Sequence, residues 1–133
     1  MRIGIVEDEA VWRDKIRDIV EKYCRDKKFF VQVNAYGSGR DFMESPEADL
    51  LFLDIELADG EDGFKIAEKL KESGSRCRVC FLTSHTEMAR QGYKVNAFRY
   101  IDKKYPEEIG EALGAFFRTK IQERIIYCKD TAG

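Results

Sequence analysis

Charged and hydroxyl residues follow four separate apolar runs of this chain, and together they could serve one phosphoryl-transfer site. The runs cover residues 3–6, 50–53, 79–82 and 98–101. The polar residues that follow them are Glu7, Asp8, Asp54, Thr83 and Lys103. A phosphoryl group in transfer spreads negative charge over three oxygens, so its acceptor site needs a carboxylate nucleophile surrounded by cations and hydrogen-bond donors. Carboxylates that lie close together also supply the oxygen ligands that Mg²⁺ prefers.

The apolar runs are predicted to be parallel strands, because segments with helical spacing lie between them. Strand and helix patterns alternate about five times, which is typical of βαβ units on a parallel sheet. Ligands of such sheets bind beyond the carboxyl ends of the strands. We therefore expect the three carboxylates, the hydroxyl and the ammonium to share one cleft, where the carboxylates would repel one another without a metal ion.

Periodicity and capping residues predict the bounds of the other elements. A second strand is predicted over residues 29–35. Helices are predicted over residues 10–23, 40–43, 63–73 and 87–93, with a last helix that starts at Pro106. Phe64, Ala67 and Leu70 are expected to form the apolar side of the third helix.

Size and composition indicate one compact domain. The chain has 133 residues, of which 44% are hydrophobic, and its 23 basic and 25 acidic residues leave a net charge of -2. This balance gives no electrostatic footprint for DNA or RNA. No run has the 18 or more apolar residues of a membrane span, and no secretory signal is recognisable, so we expect a cytoplasmic protein that does not bind membranes.

The four cysteines are expected to be free, partly buried thiols. Cys77 and Cys80 form a Cys-x-x-Cys pair, but Cys80 falls inside a predicted strand and not at a helix start. Zinc would need four ligands, and His85 is the only histidine. An unpaired cysteine commonly packs as a small apolar side chain.

Four motifs, in order, resemble the receiver domain of two-component response regulators over about residues 1–120. They are Val6-Glu7-Asp8, Leu53-Asp54-Ile55-Glu56, Leu82-Thr83-Ser84 and Tyr100-Ile101-Asp102-Lys103. Within the family, this chain looks most like the LytR/AlgR-type regulators that carry a LytTR DNA-binding domain. The features that it shares with them are the Glu7-Asp8 pair, the segment Asp54-Ile55-Glu56 and the tail after the last helix. The resemblance implies a flavodoxin-like (CheY-like) α/β fold, a doubly wound five-stranded parallel sheet with about five helices. Residues 121–133 read either as an extension of the final helix or as a linker and the start of a truncated C-terminal output domain.

Each site residue has an expected role. Asp54 would accept the phosphoryl group. Mg²⁺ would be held by Glu7, Asp8, Asp54 and the backbone carbonyl of Glu56. Thr83 and Lys103 would bind phosphoryl oxygens. The resemblance further implies that Tyr100 moves when the domain switches, and that Glu56 and His85 tune the lifetime of the phosphate.

The resemblance also implies partners and a mode of action. A sensor histidine kinase would donate the phosphoryl group, and phosphorylation could produce a homodimer. DNA would be bound only through a C-terminal domain outside this chain, for transcription regulation. The protein would not be an enzyme, apart from autophosphorylation and slow hydrolysis. Lys104 departs from the family pattern, because proline usually follows the conserved lysine. The loop over residues 58–63 departs as well, because it is acidic, lacks the usual proline and appears one residue longer.

Three other functions remain open from the sequence. A phosphohydrolase of the haloacid dehalogenase type also uses a strand-end Asp and Mg²⁺, but its motif needs a second Asp where Glu56 stands. A flavodoxin-like cofactor binder would need a phosphate-cradling loop after the first strand, where Glu7 and Asp8 would repel anions. The third is a receiver-shaped interaction module that is never phosphorylated.

Overall fold

A computed structural model of the protein describes residues 1–84 and 97–132, with side chains as far as residue 125. The strands are β1 (Arg2–Val6), β2 (Gln32–Tyr36), β3 (Leu50–Asp54), β4 (Arg78–Thr83) and β5 (Arg99–Asp102). The helices are α1 (Ala10–Asp26), α2 (Gly39–Glu44), α3 (Gly63–Glu72) and α4 (Glu107–Ala132), with a 3₁₀ turn over Ala58–Gly60. All strand pairs are parallel, in the order β2-β1-β3-β4-β5. The predicted five-stranded parallel sheet is confirmed, and the helix predicted over residues 87–93 lies outside the described residues.

Alternation along the buried strands divides the core into two layers, one on each face of the sheet. Leu50 and Phe52 belong to the layer that contains buried residues of α1 and α4. Leu51 and Leu53 belong to the layer that contains buried residues of α2 and α3. Because every residue of β3 is buried, this strand is apolar throughout, as central strands of parallel sheets are. The sheet therefore holds the carboxyl end of β3 rigidly between its neighbours.

Two of the predicted bounds were wrong around the first connection. α1 continues to Asp26, and β2 begins at Gln32 and not at Phe29. Lys28 takes a left-handed backbone conformation with φ 61°, and the Phe29 N–H donates to the Cys24 carbonyl, which terminates the helix. The Phe29 ring then stacks on Phe117 of α4 with centroids 4.0 Å apart. Phe29, which was predicted to lie in a strand, therefore connects the end of α1 to α4.

The apolar side of α3 contains the three predicted residues and one more. Ala67 and Leu70 are buried as expected, and Ile66 is buried with them, whereas Phe64 is only half-buried. Phe64 lies at the start of the helix, where its ring packs edge-on to Phe81 of β4 with centroids 4.8 Å apart. Gly74, predicted to end the helix, has φ 81° and follows the last turn.

The final helix continues through Ala132, so the segment from residue 121 is an extension of α4 and not a strand. That segment's relation to a further domain stays a prediction. None of the described helices combines the length and apolarity that crossing a bilayer requires. Cys24, Cys77 and Cys80 are free thiols, as predicted, and the side chain of Cys128 lies outside the described residues.

Candidate functional site

Glu7, Asp8 and Asp54 meet at the carboxyl end of the sheet. Glu7 and Asp8 follow β1, and Asp54 is the last residue of the adjacent β3. The connection from β1 runs to β2 on one side, and β3 lies on the other, so the chain changes direction at this point of the sheet. One carboxylate oxygen from each of the three residues lies within 4.8 Å of the other two. The predicted acidic cluster is therefore present.

Lys103 bridges two of these carboxylates. Its Nζ lies 2.9 Å from Asp54 Oδ2 and 2.9 Å from Glu7 Oε2. All three side chains are at least nine-tenths buried. The backbone N–H of Lys103 donates to the Thr83 carbonyl at the end of β4, which fixes where the lysine leaves the sheet. Burial lowers the pKa of Lys103, but the hydrogen bond with Asp54 and the negative charges of Asp54 and Glu7 raise it by more, so the ammonium is retained.

Glu7 is the most deeply buried of the acidic groups, with no exposed surface. Desolvation, followed by a hydrogen bond with the Asp54 carboxyl, raises the pKa of Glu7 from its ordinary 4.5 to about 7. Lys103 opposes this shift without cancelling it. At neutral pH, Glu7 therefore holds a proton for part of the time, because one ammonium does not neutralise two buried carboxylates.

The donor set fits Mg²⁺. Glu7 Oε2 is buried and, although it lies close to the ammonium, it accepts no hydrogen bond of acceptable angle. The ion pair with Lys103 leaves the hydrogen-bonding capacity of this buried oxygen unused, and a metal ion at the cluster would use it. Asp8 is half-buried, which leaves the cluster open to solvent on one side, as an ion that retains several waters requires. Glu7, Asp8 and Asp54 would hold the metal, which stays a prediction of the sequence.

A tight turn after β3 presents Asp54. The Glu56 N–H donates to Asp54 Oδ1 at 3.0 Å, and the Gly63 N–H donates to the Ile55 carbonyl at 2.9 Å. A Cβ at Gly63 would lie 2.3 Å from the Asp54 carbonyl oxygen. Only glycine permits α3 to start this close to the strand end. The sequence pattern placed Gly63 at a helix start but gave no sign of this contact.

Arg13 is a site residue that sequence reasoning missed. Its guanidinium donates to the Glu7 carbonyl at 2.9 Å and to the Asp8 carbonyl at 3.4 Å. The interaction satisfies backbone acceptors that have left the sheet and holds the β1–α1 connection in place. The spacing of a helical arginine five or six residues after the acidic pair was the available signal, and it is too common to be diagnostic.

The acidic loop after β3 also has a structural role. Glu61 accepts the N–H groups of Gly39 and Arg40 at 3.1 and 2.9 Å, so its carboxylate caps the first turn of α2. Asp62 caps α3 by accepting the Phe64 N–H at 2.9 Å. Two of the loop's acidic groups are therefore engaged by helix starts.

The remaining predicted residues are placed differently from one another. Thr83 is buried at the end of β4, beside the strand that carries Asp54. Tyr100 is half-buried in β5 and stacks on Phe81 with centroids 5.4 Å apart. The Glu56 side chain is exposed, and His85 lies outside the described residues. The peptide bond between Lys103 and Lys104 is trans.

Comparisons with known proteins agree with this geometry. The family model described as "Response regulator receiver domain" matches residues 3–113. The sensory transduction protein LytT of Bacillus subtilis is 32% identical over 108 residues, which is 81% of this chain and 44% of LytT. The transcriptional regulatory protein YpdB of Escherichia coli is 26% identical over 110 residues, which is 80% of this chain and 43% of YpdB. The chain thus spans less than half the length of these relatives.

Solved structures show the same architecture. The N-terminal domain of a response regulator/sensory box/GGDEF three-domain protein from Carboxydothermus hydrogenoformans has a TM-score of 0.74 and 27% identity, covering 92% of this chain and 98% of that one. The response regulatory domain of mrkE from Klebsiella pneumoniae has a TM-score of 0.78 and 24% identity, covering 92% and 99%. The second likeness concerns the fold alone.

Proposed function

Because this chain belongs to the response regulator receiver domain family and has LytT-type relatives, we propose that Asp54 accepts a phosphoryl group from a phosphohistidine of a sensor kinase. The observation that carries this proposal is the buried contact of Asp54 with Lys103 beside Glu7 and Asp8. It supplies a carboxylate nucleophile, a fixed cation and a set of metal ligands at one strand end. Members of this family are regulatory proteins in general, and we place this chain among them.

The transfer would proceed in line at phosphorus. An Asp54 carboxylate oxygen attacks the phosphorus as the P–N bond to the kinase histidine breaks, and the departing imidazole keeps the bond's electron pair. The product is an acyl phosphate on Asp54 and a histidine that takes a proton from solvent. Mg²⁺, held by Glu7, Asp8, Asp54 and the Glu56 carbonyl, would supply charge neutralisation for the phosphoryl oxygens.

The protein's own groups position the reaction. The Glu56 N–H holds Asp54 Oδ1, so the orientation of the carboxylate is fixed before the donor arrives. Lys103 lies next to Oδ2 and would neutralise a phosphoryl oxygen that takes the place of its carboxylate partner. The Thr83 hydroxyl would donate to another oxygen. Burial strengthens each of these interactions, because few waters screen them.

Phosphorylation would then alter the output surface. The Thr83 hydroxyl moving toward the phosphoryl group would leave space for the Tyr100 ring, and β5 would carry the change to the partner-facing surface. A phosphoryl group contributes only its differential affinity for the two states, so this is a shift of population. His85 and the Glu56 side chain would set how long the phosphate lasts. We assign the output to transcription regulation through a LytTR-type DNA-binding domain, with homodimerisation on phosphorylation.

Intact-protein mass tests the proposal. The wild type and Asp54→Asn are incubated with Mg²⁺ and a small phosphoryl donor, and we expect one added phosphoryl group on the wild type alone. The Asn variant is nearly isosteric, so a difference between the two reports the nucleophile and not the fold.

Other outcomes would change the assignment. If neither protein gains mass and the wild type does not bind Mg²⁺ in a calorimetric titration, the chain is an unphosphorylated interaction module. Catalytic release of inorganic phosphate from many donor molecules per protein would instead indicate a phosphohydrolase.

A further inference from the structure

Trp12 lies beside the lysine of the site. The Lys103 Nζ is 5.4 Å from the centroid of the Trp12 ring, within the range of a cation–π contact. The methylene stem of Lys103 and the ring close a small cleft beneath the site. Its other lining residues are Ile16, Leu82, Ile101, Asp102, Pro106 and Ile109. The ammonium thus has an aromatic face on one side and carboxylates on another.

The same ring has a second cation, which provides a comparison. Lys15 Nζ lies 4.9 Å from the Trp12 centroid, but the Lys15 side chain is exposed. Water competes strongly for an exposed ammonium, whereas the whole Lys103 side chain is only 7% exposed. Cation–π contacts are worth several times more where the cation is desolvated. The ring therefore has a greater effect on Lys103 than on Lys15.

Metal binding and Lys103 compete for two of the same carboxylate groups. The ammonium occupies Glu7 Oε2 and Asp54 Oδ2, and both carboxylates belong to the cluster that fits Mg²⁺. A divalent cation at this cluster weakens or displaces at least one of these ion pairs, because it repels the ammonium and takes the carboxylate charge. A displaced lysine needs another stabilising partner, or its long side chain turns toward water.

We propose that Trp12 is a positioning residue for Lys103, whose indole face retains the ammonium within reach of Asp54 when metal occupies the carboxylates. This inference rests on the proposed phosphoryl transfer and adds a residue to it. Trp12 touches neither the phosphoryl group nor the metal and acts through the lysine. With the ring in place, the Lys103 ammonium samples fewer positions before it pairs with an incoming phosphoryl oxygen, so the transfer is faster.

A double-mutant cycle tests the proposal. The four proteins are the wild type, Trp12→Leu, Lys103→Met and the double variant, and the rate of phosphoryl gain is measured by intact mass at saturating Mg²⁺. We expect Trp12→Leu to slow the gain by about five- to thirtyfold where Lys103 is present, the range of a desolvated cation–π contact. In the Lys103→Met background the same change should have less than about a twofold effect. Equal slowing in both backgrounds overturns the proposal, because Trp12 would then act through packing alone.

Two further variants separate the aromatic face from its bulk. Trp12→Phe retains a smaller π-face, so its rate should lie between those of the wild type and Trp12→Leu. A rate equal to that of Trp12→Leu overturns a cation–π role. Lys15→Met removes the exposed cation from the same ring and should leave the rate within about twofold. A larger loss from Lys15→Met overturns the assignment of the ring to Lys103.

A direct readout of binding keeps this proposal distinct from the phosphoryl-transfer proposal. If the wild type binds Mg²⁺ but gains no phosphoryl group, the proposed function fails, and the cycle is read on Mg²⁺ affinity by calorimetry. Trp12→Leu should then weaken Mg²⁺ binding about threefold or more with Lys103 present and have no effect in the Lys103→Met background. Equal effects, or no Mg²⁺ binding at all, overturn the role of Trp12. Trp12 is the only tryptophan of the chain, so its emission should also change on Mg²⁺ addition in the wild type.

Discussion

Lys103 contacts two buried carboxylates at 2.9 Å each, and the balance of charge around it controls the site. Three acidic groups face one ammonium, and the most buried of them, Glu7, has a pKa raised to about 7 by desolvation and by Asp54. The metal-free protein is therefore an incompletely neutralised form of the site. Removal of either the proton or the lysine should have consequences that Mg²⁺ reverses.

The pH dependence follows from Glu7. Its folded-state pKa of about 7 lies above the ordinary 4.5, so between these pH values the folded protein holds a proton that the unfolded chain has lost. The stability of the metal-free protein should fall as pH rises from 4.5 to 7, and Mg²⁺ should bind more tightly and release less proton as pH rises past 7. Urea unfolding in EDTA and calorimetry in two buffers of different ionisation enthalpy measure these effects.

Glu7→Gln is the control for that pH dependence. The variant has no proton to release, so its metal-free stability should vary less with pH over the same range. A slope equal to that of the wild type would assign the proton to another group.

Lys103→Met should destabilise the metal-free protein. The substitution leaves the buried Glu7 and Asp54 without their shared cation, a loss of about 2–4 kcal/mol in the free energy of unfolding. Saturating Mg²⁺ should restore much of it, because the metal neutralises the same carboxylates. Denaturant unfolding with and without Mg²⁺ measures both quantities. Lys104→Met at the exposed neighbouring position should cost less than about 0.5 kcal/mol, and equal losses would show that burial of the charge is not the cause.

At the scale of the elements, two strand-to-helix connections position the site. One leads from β1 into α1 and is held by Arg13, which donates to the Glu7 and Asp8 carbonyls. The other leads from β3 to α3 and requires Gly63. The strand ends determine which carboxylates lie at this edge of the sheet. The two connections determine how those carboxylates are oriented.

Gly63→Ala should be destabilising and should disturb the site. The added methyl would meet the Asp54 backbone oxygen at 2.3 Å, so α3 or the strand end has to shift. We expect a loss of about 2 kcal/mol or more and weaker Mg²⁺ binding. Gly110→Ala in α4 is the matched control. Its Cβ would make only an ordinary contact, at 3.7 Å, with the Tyr23 ring of α1. That change should stabilise by up to about 1 kcal/mol, the difference in helix propensity. Thermal unfolding followed by circular dichroism measures the two signs.

At the scale of the whole molecule, the described part of α4 leaves the core before residue 125. Among its described side chains, the last buried ones are Phe116 and Phe117, and Ile121 and Ile125 are about half exposed. Beyond Phe117, the described side chains of α4 are linked to the domain through the partly exposed Arg78–Glu123 ion pair. Among the described side chains, packing of α4 into the core thus ends at Phe117, and the domain limit at residue 120 stays a prediction.

Truncation after Lys120 should leave the domain folded and able to accept a phosphoryl group. It removes the exposed ion pair with Glu123, so we expect a loss of less than about 1 kcal/mol in the free energy of unfolding. Phe117→Ala in the full chain is the comparison. It removes a ring stacked on Phe29 and should cost about 3–5 kcal/mol. Urea unfolding of both proteins tests where the core ends, and a larger loss on truncation than in Phe117→Ala would extend the domain beyond residue 120.

The order of apolar runs and polar residues along the chain was enough to predict the parallel sheet and the edge at which the site lies. Apolar runs of strand length must be buried on both faces, and parallel strands bring their carboxyl ends together, so Asp54, Thr83 and Lys103 had to converge. The identity of the cluster follows from residue types and their order alone. Predicted element bounds were less accurate where a side chain packs on a residue far away in the chain. Phe29 stacks on Phe117 and is not part of β2.

The tertiary structure was needed to show which acidic group is buried and which groups the lysine contacts. Glu7 and Asp8 are equivalent in the sequence, yet Glu7 has no exposed surface and a raised pKa, while Asp8 remains half open to solvent. The contacts of Lys103 with two carboxylates and the Trp12 ring join residues that are far apart in the chain. Such contacts depend on distances of a few ångströms and on local exclusion of water, and neither has a period or spacing that a sequence displays.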